Sequence, residues 1–356
     1  MTKFYTVLAL YLLYSFSTLA QNNNYSFVEE FKVNSPAILK ITTNDGNIQV
    51  EPGNSDEMIV HYIVKQRGGV LSISKSELEE EITFVTVRTG NSLSIKVRHK
   101  DRNFWRNSKD VSFKIYTPRQ TSSELNTSDG NIHIERLAGN QILKTSDGNI
   151  HTREIDGNIS ARTSDGNIDM GDVGGSSHVV TSDGNIDLRT VGGPVTGRTS
   201  DGNASIKNVN GSVTMVTSDG NIQSSNIDGD LELTTSDGSI AINNVAGRCK
   251  LKTSDGNIRF ENTSGSMSAV TSDGDIRGTM NNLNGKLYMR TNDGTIDVVV
   301  PSGLGLDLDL RADRIVTKLE KFNGTSEKKS ILGSINGGGI PIDLRASDGT
   351  VVLAYK

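Results

Sequence analysis

Apolar and polar residues alternate along most of this chain, and such alternation is typical of β-strands with one buried and one solvated face. The alternating segments recur within a repeated unit that contains the tetrapeptide Thr-Ser-Asp-Gly. The tetrapeptide occurs every 18 residues, beginning at Thr127, Thr145, Thr163, Thr181, Thr199, Thr217, Thr235, Thr253 and Thr271. Nine copies without an insertion indicate units of equal size that stack on their neighbours, because a change of length would break the pairing between units.

Within each unit, positions are counted forward from the glycine of Asp-Gly. Positions +2, +4, +7, +11 and +13 are predominantly apolar, and a second glycine stands at +9. In the copy that begins at Gly238, the apolar positions are Ile240, Ile242, Val245, Cys249 and Leu251. The sequence therefore predicts an all-β fold: a parallel β-solenoid (a flattened β-helix or β-roll) with two main strands per 18-residue coil, and a short third side is allowed at +7.

The detailed geometry of the coil follows from the same positions. A three-sided solenoid of hexapeptides would need an aliphatic residue at +8, where Gly192, Asn210 and Asp228 stand. We expect the glycine of Asp-Gly to adopt a positive φ in a tight turn. By parity, the Thr at +15 points inward and the residue at +14 points outward, which argues against an outward Thr array that binds ice. The outward residues at +14 include Lys144, Arg162, Arg198 and Lys252.

Four regions are predicted along the chain. Residues 1–20 resemble a secretory signal peptide, with Lys3 before an apolar run and a cleavage site after Ala20. The alternative, an uncleaved membrane anchor, would need about 20 apolar residues. Residues 21–126 form an N-terminal β-rich cap, residues 127–294 the regular repeats and residues 295–356 the C-terminal capping coils. We expect an extracytoplasmic protein, in the periplasm, on the outer surface or secreted, with no membrane span after signal cleavage.

Divergent copies of the tetrapeptide flank the array, as expected for the ends of a stack. They are Thr43-Asn44-Asp45-Gly46, Thr291-Asn292-Asp293-Gly294 and Ser347-Asp348-Gly349. Caps at both ends would blunt sheet edges that could otherwise pair with other chains.

Composition narrows the possible classes of protein. Aromatic residues make up 5% of the chain, which excludes a large aromatic core, and the single cysteine cannot form an internal disulfide. The 37 basic and 42 acidic side chains give a net charge of -5, so the balance does not indicate a nucleic-acid partner.

The strongest candidate for chemistry is a row of turn carboxylates, one from each tetrapeptide. The row consists of Asp129, Asp147, Asp165, Asp183, Asp201, Asp219, Asp237, Asp255 and Asp273. Calcium prefers six to eight oxygen ligands, and Asp, Ser and Asn supply oxygens in each turn. The Gly-Gly-x-Gly-x-Asp pattern of calcium-binding rolls is absent. We therefore expect a structural turn and no cofactor, with calcium binding as the alternative.

A second candidate is a basic stretch in the N-terminal region, around Phe104 and Trp105. Its residues are Lys96, Arg98, Lys100, Arg102, Trp105 and Arg106. Such a segment could bind an acidic glycan or a lipid head group through charge and stacking. The alternative is a solvated loop with Trp105 packed onto the cap.

Catalysis is not expected. The recurring Asp lies in every turn, whereas a catalytic site should break the pattern at one place, and no Ser/His/Asp set or phosphate loop does so. Cys249 occupies an inward position, as a small core residue would. His133 and His151 occupy the same +3 position in successive units, but two imidazoles without a third ligand make a weak metal site.

The chain resembles the bacterial "putative-adhesin" family of extracytoplasmic β-solenoids. The resemblance is carried by the recurring Ser-Asp-Gly-Asn-Ile, by Val298-Val299-Val300-Pro301 and by the run from Gly333 to Gly349. It implies adhesion but supplies no binding residue. We expect a secreted or cell-surface adhesin-like binding protein, non-catalytic, whose surface ligand is a glycan or a matrix protein. The alternative is a structural spacer of the cell envelope without a specific ligand.

Overall fold

The computed structural model describes residues 25–100 and 109–356, and this part of the chain is almost entirely β-structure. Twenty-nine strands join into one mostly parallel sheet that winds in a solenoid-like arrangement. The N-terminal part contains β1 (Phe27–Lys32), β2 (Ala37–Thr42), β3 (Ile48–Pro52), β4 (Glu57–Gln66), β5 (Gly69–Val70), α1 (Lys75–Leu78), β6 (Ile82–Thr89), β7 (Ser92–His99), β8 (Asp110–Thr117) and β9 (Thr121–Asn126).

The repeats contribute two short strands each, which merge into longer strands in the last copies. The strands are β10 (Ile132–Glu135), β11 (Gln141–Lys144), β12 (Ile150–Ile155), β13 (Ile159–Arg162), β14 (Ile168–Val173), β15 (Ser177–Val180), β16 (Ile186–Val191), β17 (Val195–Arg198), β18 (Ala204–Asn210), β19 (Val213–Val216), β20 (Ile222–Asp228), β21 (Leu231–Thr234), β22 (Ile240–Lys252), β23 (Ile258–Val270) and β24 (Ile276–Thr291). The C-terminal strands are β25 (Ile296–Val300), β26 (Leu306–Thr317), β27 (Phe322–Ser326), β28 (Ser330–Ile335) and β29 (Ile340–Tyr355).

Parallel pairing between equivalent strands builds two faces. On the first face, each strand that follows Asp-Gly pairs with its equivalent 18 residues later, as Ile168 does with Ile186. On the second face, the strands that follow the +9 glycine pair in the same register, as Val195 does with Val213. The strands β3, β8, β4 and β1 extend the first face towards the N-terminus, and β9, β2, β7 and β6 extend the second.

The core lies between the two faces and is built from the predicted positions. In one unit, Ile240, Ile242, Val245, Cys249 and Leu251 are all at most 3% exposed. Full burial of an aliphatic side chain stabilises the folded state by about 1.5–3 kcal/mol. Because no unit encloses its own apolar side chains, this stabilisation depends on stacking between units.

The glycine of Asp-Gly is required for a different reason than the predicted one. None of these glycines has a positive φ in the described structure. Instead, a Cβ on Gly184 would lie 1.8 Å from the carbonyl oxygen of Gly166, which no real Cβ could do. The same clash, at 1.8–2.0 Å from the preceding glycine, occurs at Gly130, Gly148, Gly166, Gly184, Gly202, Gly220, Gly238, Gly256, Gly274, Gly294 and Gly349. These residues and Gly46 form the glycine file. The expectation of positive φ is wrong, because close backbone approach excludes the side chain.

The left-handed backbone lies at +6, where no glycine stands. The residues there have φ between 51° and 59°. They are Arg136, Glu154, Asp172, Thr190, Asn208, Asn226, Asn244 and Asn262. Asn tolerates this region better than most residues, since its short polar side chain can hydrogen-bond locally. The four Asn residues therefore suit the corner better than Thr190, whose branched Cβ is unfavourable with positive φ.

The threonine of each tetrapeptide points inward, which confirms the prediction. Thr181 is 2% exposed, and its Oγ1 lies 3.0 Å from both the Ser164 and the Gly166 carbonyl oxygens. The same oxygen accepts a hydrogen bond from the backbone N–H of Gly184 at 3.3 Å. Thr127, Thr145, Thr163, Thr199, Thr217, Thr235, Thr253, Thr271 and Thr291 make the corresponding contacts to the preceding unit. Each threonine thus joins the corners of two units.

Replacing one glycine of the file should be strongly destabilising. We expect Gly184→Ala to lower the free energy of unfolding by about 3 kcal/mol or more, because two hydrogen-bonded backbones must separate to admit the methyl group. Gly69→Ala is the matched control, since its Cβ would meet only the Gln66 carbonyl oxygen at 3.8 Å. Chemical denaturation of both variants measures the difference, and equal stability would show that the close contact is not limiting.

Two isosteric substitutions should separate a bonded threonine from one without a partner. Thr181→Val should lower the free energy of unfolding by about 1–3 kcal/mol, because buried backbone groups lose their partner. Thr152 is also fully buried, but its Oγ1 has no hydrogen-bond partner among the described residues. Thr152→Val should therefore be neutral or stabilising. Denaturant titration of the two variants tests this, and a larger loss for Thr152→Val would refute the role given to the corner threonines.

Candidate binding surfaces

The nine predicted turn carboxylates form an exposed row along one corner of the solenoid. Their backbone bonds the units together, since the Ser182 and Asp183 amides both donate to the Ser164 carbonyl oxygen at 2.9 and 3.0 Å. Within the described residues, the nine carboxylate groups make no hydrogen bond or ion pair. They are the side chains of Asp129, Asp147, Asp165, Asp183, Asp201, Asp219, Asp237, Asp255 and Asp273. Successive carboxylates belong to strands about 4.8 Å apart, so water or cations must offset their repulsion.

The same described residues contain no group of three or more His, Cys, Asp or Glu side chains arranged to hold a metal ion. Calcium binding by the turn row stays the alternative stated above.

The predicted basic stretch is divided by the limits of the described structure. Lys96 and Arg98 lie on β7, near the N-terminal end of the second face, and Lys100 follows that strand. Lys96 pairs with Thr42 on one side and with Val85 on the other. Arg102, Trp105 and Arg106 lie outside the described residues. The structure therefore brings together only the first part of this candidate site, and its binding role stays a prediction.

A longer row of cations runs along the second face, at the outward position +14. Strand register aligns these residues across the repeats and into the C-terminal strands. This cationic row consists of Lys144, Arg162, Arg198, Lys252, Arg290, Arg345 and Arg311. The positions between them carry Val180, Val216, Thr234 and Val270, so the row contains no acidic residue. The sequence indicated its first four members, but the last three require the register of β24, β29 and β26.

The two histidines at +3 belong to an ion-pair network on the first face. The rings of His133 and His151 stack with centroids 4.9 Å apart. His151 Nδ1 lies 3.3 Å from Asp169 Oδ2, and burial lowers the pKa of His151 despite this carboxylate. Asp169 also contacts Arg189 directly and Arg153 at 3.7 Å. Its oxygens are therefore engaged by cations, which argues against a metal site here.

Cys249 lies in the core, as its inward position predicts. It is fully buried, and desolvation, together with the charge of Asp230, raises the pKa of its thiol to about 12. At neutral pH the side chain is a thiol, and the thiolate is the nucleophilic form of cysteine.

Sequence comparison identifies the family. The profile of the Toastrack DUF4097 family matches residues 37–225 and 193–354, and the chain belongs to that family. No curated protein matches it. Across the parts of the chain that the structure describes, there is no helix of the length and apolar character needed to span a membrane.

Three solved structures show low similarity to the chain. A "putative cell adhesion protein" from Clostridium sporogenes is 11% identical with a TM-score of 0.18, and the match covers 93% of this chain and 99% of that one. A "putative adhesin" from Parabacteroides merdae is 16% identical with a TM-score of 0.29, covering 78% and 97%. A "putative lipid binding protein" from Parabacteroides distasonis is 14% identical with a TM-score of 0.28, covering 78% and 97%. Similarities at these scores do not bear on what this chain does.

Removal of calcium should leave the turn row intact. Because the backbone amides and the corner threonines already hold the turns, we expect the unfolding midpoint to be the same in excess EDTA and in millimolar calcium. Magnesium at the same concentration is the control for ionic strength. A midpoint that rises with calcium but not with magnesium would contradict the structural interpretation and make the nine Asp residues a calcium site.

Proposed function

We propose that this protein is an extracytoplasmic, adhesin-like binding protein that uses the outer surface of its solenoid and has no catalytic activity. The observation that carries the proposal is the cationic row, which continues from β11 to β26 without an acidic residue. All its members are exposed except Arg345, which is half-buried. Such a row is not needed for stability, because the core and the glycine file lie on the opposite side of the sheet.

The architecture proposed for this function has three parts. Each 18-residue unit acts as one coil, and the pairing of equivalent residues 18 positions apart supports this. Residues 21–126 and 295–356 act as caps, since they continue both faces with strands of different length and direction. The extracytoplasmic location depends on residues 1–20, whose pattern is that of a signal peptide.

Repetition suits binding better than turnover. Outward residues at equivalent positions recur at the strand spacing of about 4.8 Å, so a polymeric ligand meets many weak contacts whose avidity exceeds each single affinity. Catalysis would instead need an activated group. The Cys249 thiol is buried with a pKa of about 12, and the Asp169 carboxylate is engaged by arginines.

An array of glycans and matrix proteins tests the proposal. We expect saturable binding of the folded chain, expressed without residues 1–20, to a subset of the immobilised ligands. The same chain unfolded by heat is the control and should lose that binding. If the folded chain binds no ligand on the array, the proposal is wrong and a structural spacer of the cell envelope becomes the better account.

A further inference from the structure

One groove on the second face interrupts the regularity of the repeats. Its floor is formed by Ser266 and Ser268 on β23. One wall carries Arg248 and Lys250 from β22, and the other carries Lys286 and Tyr288 from β24. Register fixes this arrangement, since Ser268 pairs with Lys250 on one side and with Tyr288 on the other. The walls are thus two strand spacings, about 10 Å, apart, and the groove has a volume of about 410 Å³.

The groove coincides with the change of repeat length at the end of the array. The tetrapeptide that begins at Thr291 follows its predecessor by 20 residues instead of 18. Strand register places the two extra residues between Leu283 and Leu287, because Gly265 pairs with Leu283 whereas Met267 pairs with Leu287. Lys286 therefore belongs to the inserted segment. A binding site that breaks a structural repeat at one place is expected to coincide with such an irregularity.

The charge of the groove is positive. Lys252 and Arg290 extend the two walls, since both pair with Val270 on β23. The acidic partners lie outside the walls: Glu232 contacts Lys250 at 2.6 Å, and Asp343 contacts Lys286 at 3.4 Å. The side chains of Arg248, Lys252 and Arg290 have no ion-pair partner among the described residues. Three guanidinium or ammonium groups are therefore available to a ligand.

A second groove continues the first towards the C-terminus. It has a volume of about 390 Å³, shares Arg290 with the wall of the first, and is lined by Arg311, Arg345 and Lys329 over Ala312 and Ala346. Asp309 contacts Arg311 and Arg345, and Asp313 contacts Lys329, so this end is more nearly neutral. The two grooves together are the cationic groove, which crosses the strands from β22 to β28 over about 24 Å.

The chemistry of the lining favours one class of ligand. Arginine binds carboxylate and sulfate groups in bidentate fashion, and serine hydroxyls can donate to and accept from sugar hydroxyls. The half-buried ring of Tyr288, with Lys286 Nζ 5.0 Å from its centroid, offers an apolar face at a polar wall. The groove is open at both ends of its strands, which suits a polymer better than a small molecule.

We propose that the cationic groove binds an acidic polysaccharide, a polymer that carries carboxylate or sulfate groups on sugar rings. The acidic groups lie against Arg248, Lys252 and Arg290, and a sugar ring packs on Tyr288. This inference rests on the proposed binding function and names its ligand class and its site.

Binding to heparin and polygalacturonate, measured by calorimetry on the chain without residues 1–20, tests the inference. We expect both polymers to bind, uncharged dextran not to bind, and affinity to fall with added salt. The double variant Arg248→Glu, Arg290→Glu should weaken binding by about tenfold or more, equivalent to about 1.4 kcal/mol. The matched control, Arg162→Glu with Arg198→Glu, changes the same number of charges in the same face outside the groove and should retain affinity within about threefold.

A second variant separates a sugar ligand from a general polyanion site. Tyr288→Ala should weaken binding to both polysaccharides and leave binding to inorganic polyphosphate, which has no rings, unchanged. Equal losses in the two double variants, or tighter binding to double-stranded DNA than to either polysaccharide, would overturn the inference. Binding to other ligands on the array but to neither polysaccharide would also overturn it and leave the proposed function standing, whereas an array without any binding refutes the proposed function itself.

Discussion

The fold depends on how closely successive backbones approach at the Asp-Gly corner. A Cβ at Gly184 would lie 1.8 Å from the Gly166 carbonyl oxygen, so only glycine permits the contact. The neighbouring threonine then reaches the carbonyl oxygens of the unit before it and accepts from the glycine amide of its own unit. With the corner fixed in this way, the strands on both sides pair in register and their inward side chains form a continuous core. A unit of another length cannot satisfy both faces unless it departs from the sheet locally.

Much of this was accessible from the sequence, because strand alternation and an exact repeat constrain each other. The buried positions, the inward threonines and the parallel all-β architecture follow from parity and spacing alone. The reason for the corner glycines did not, since a glycine in a turn is compatible with either positive φ or close backbone contact. The left-handed corner at +6 was missed because residues as different as Arg136 and Thr190 occupy it. No composition signal marks a conformation that the neighbouring contacts impose.

The candidate sites show the same division. Position within the repeat indicated the turn carboxylates and part of the cationic row. The groove between Arg248 and Tyr288 could not be predicted, because it depends on which strand receives the inserted residues and on side chains 40 positions apart in sequence. Stability and recognition thus occupy different positions: the inward side chains and corners repeat almost without change, while the outward positions vary freely. An insertion between Leu283 and Leu287 alters the outer surface while the core residues on both sides of it remain buried.

Deletion of a single unit tests the central claim most directly. Removing residues 181–198 joins Val180 to Thr199 and preserves the order of inward and outward positions, whereas removing residues 181–197 shifts every later position by one. Circular dichroism and cooperative unfolding of the two shortened chains are the measurement. The account predicts a folded, β-rich chain for the 18-residue deletion and loss of cooperative folding for the 17-residue deletion. Equal stability of the two chains would contradict it.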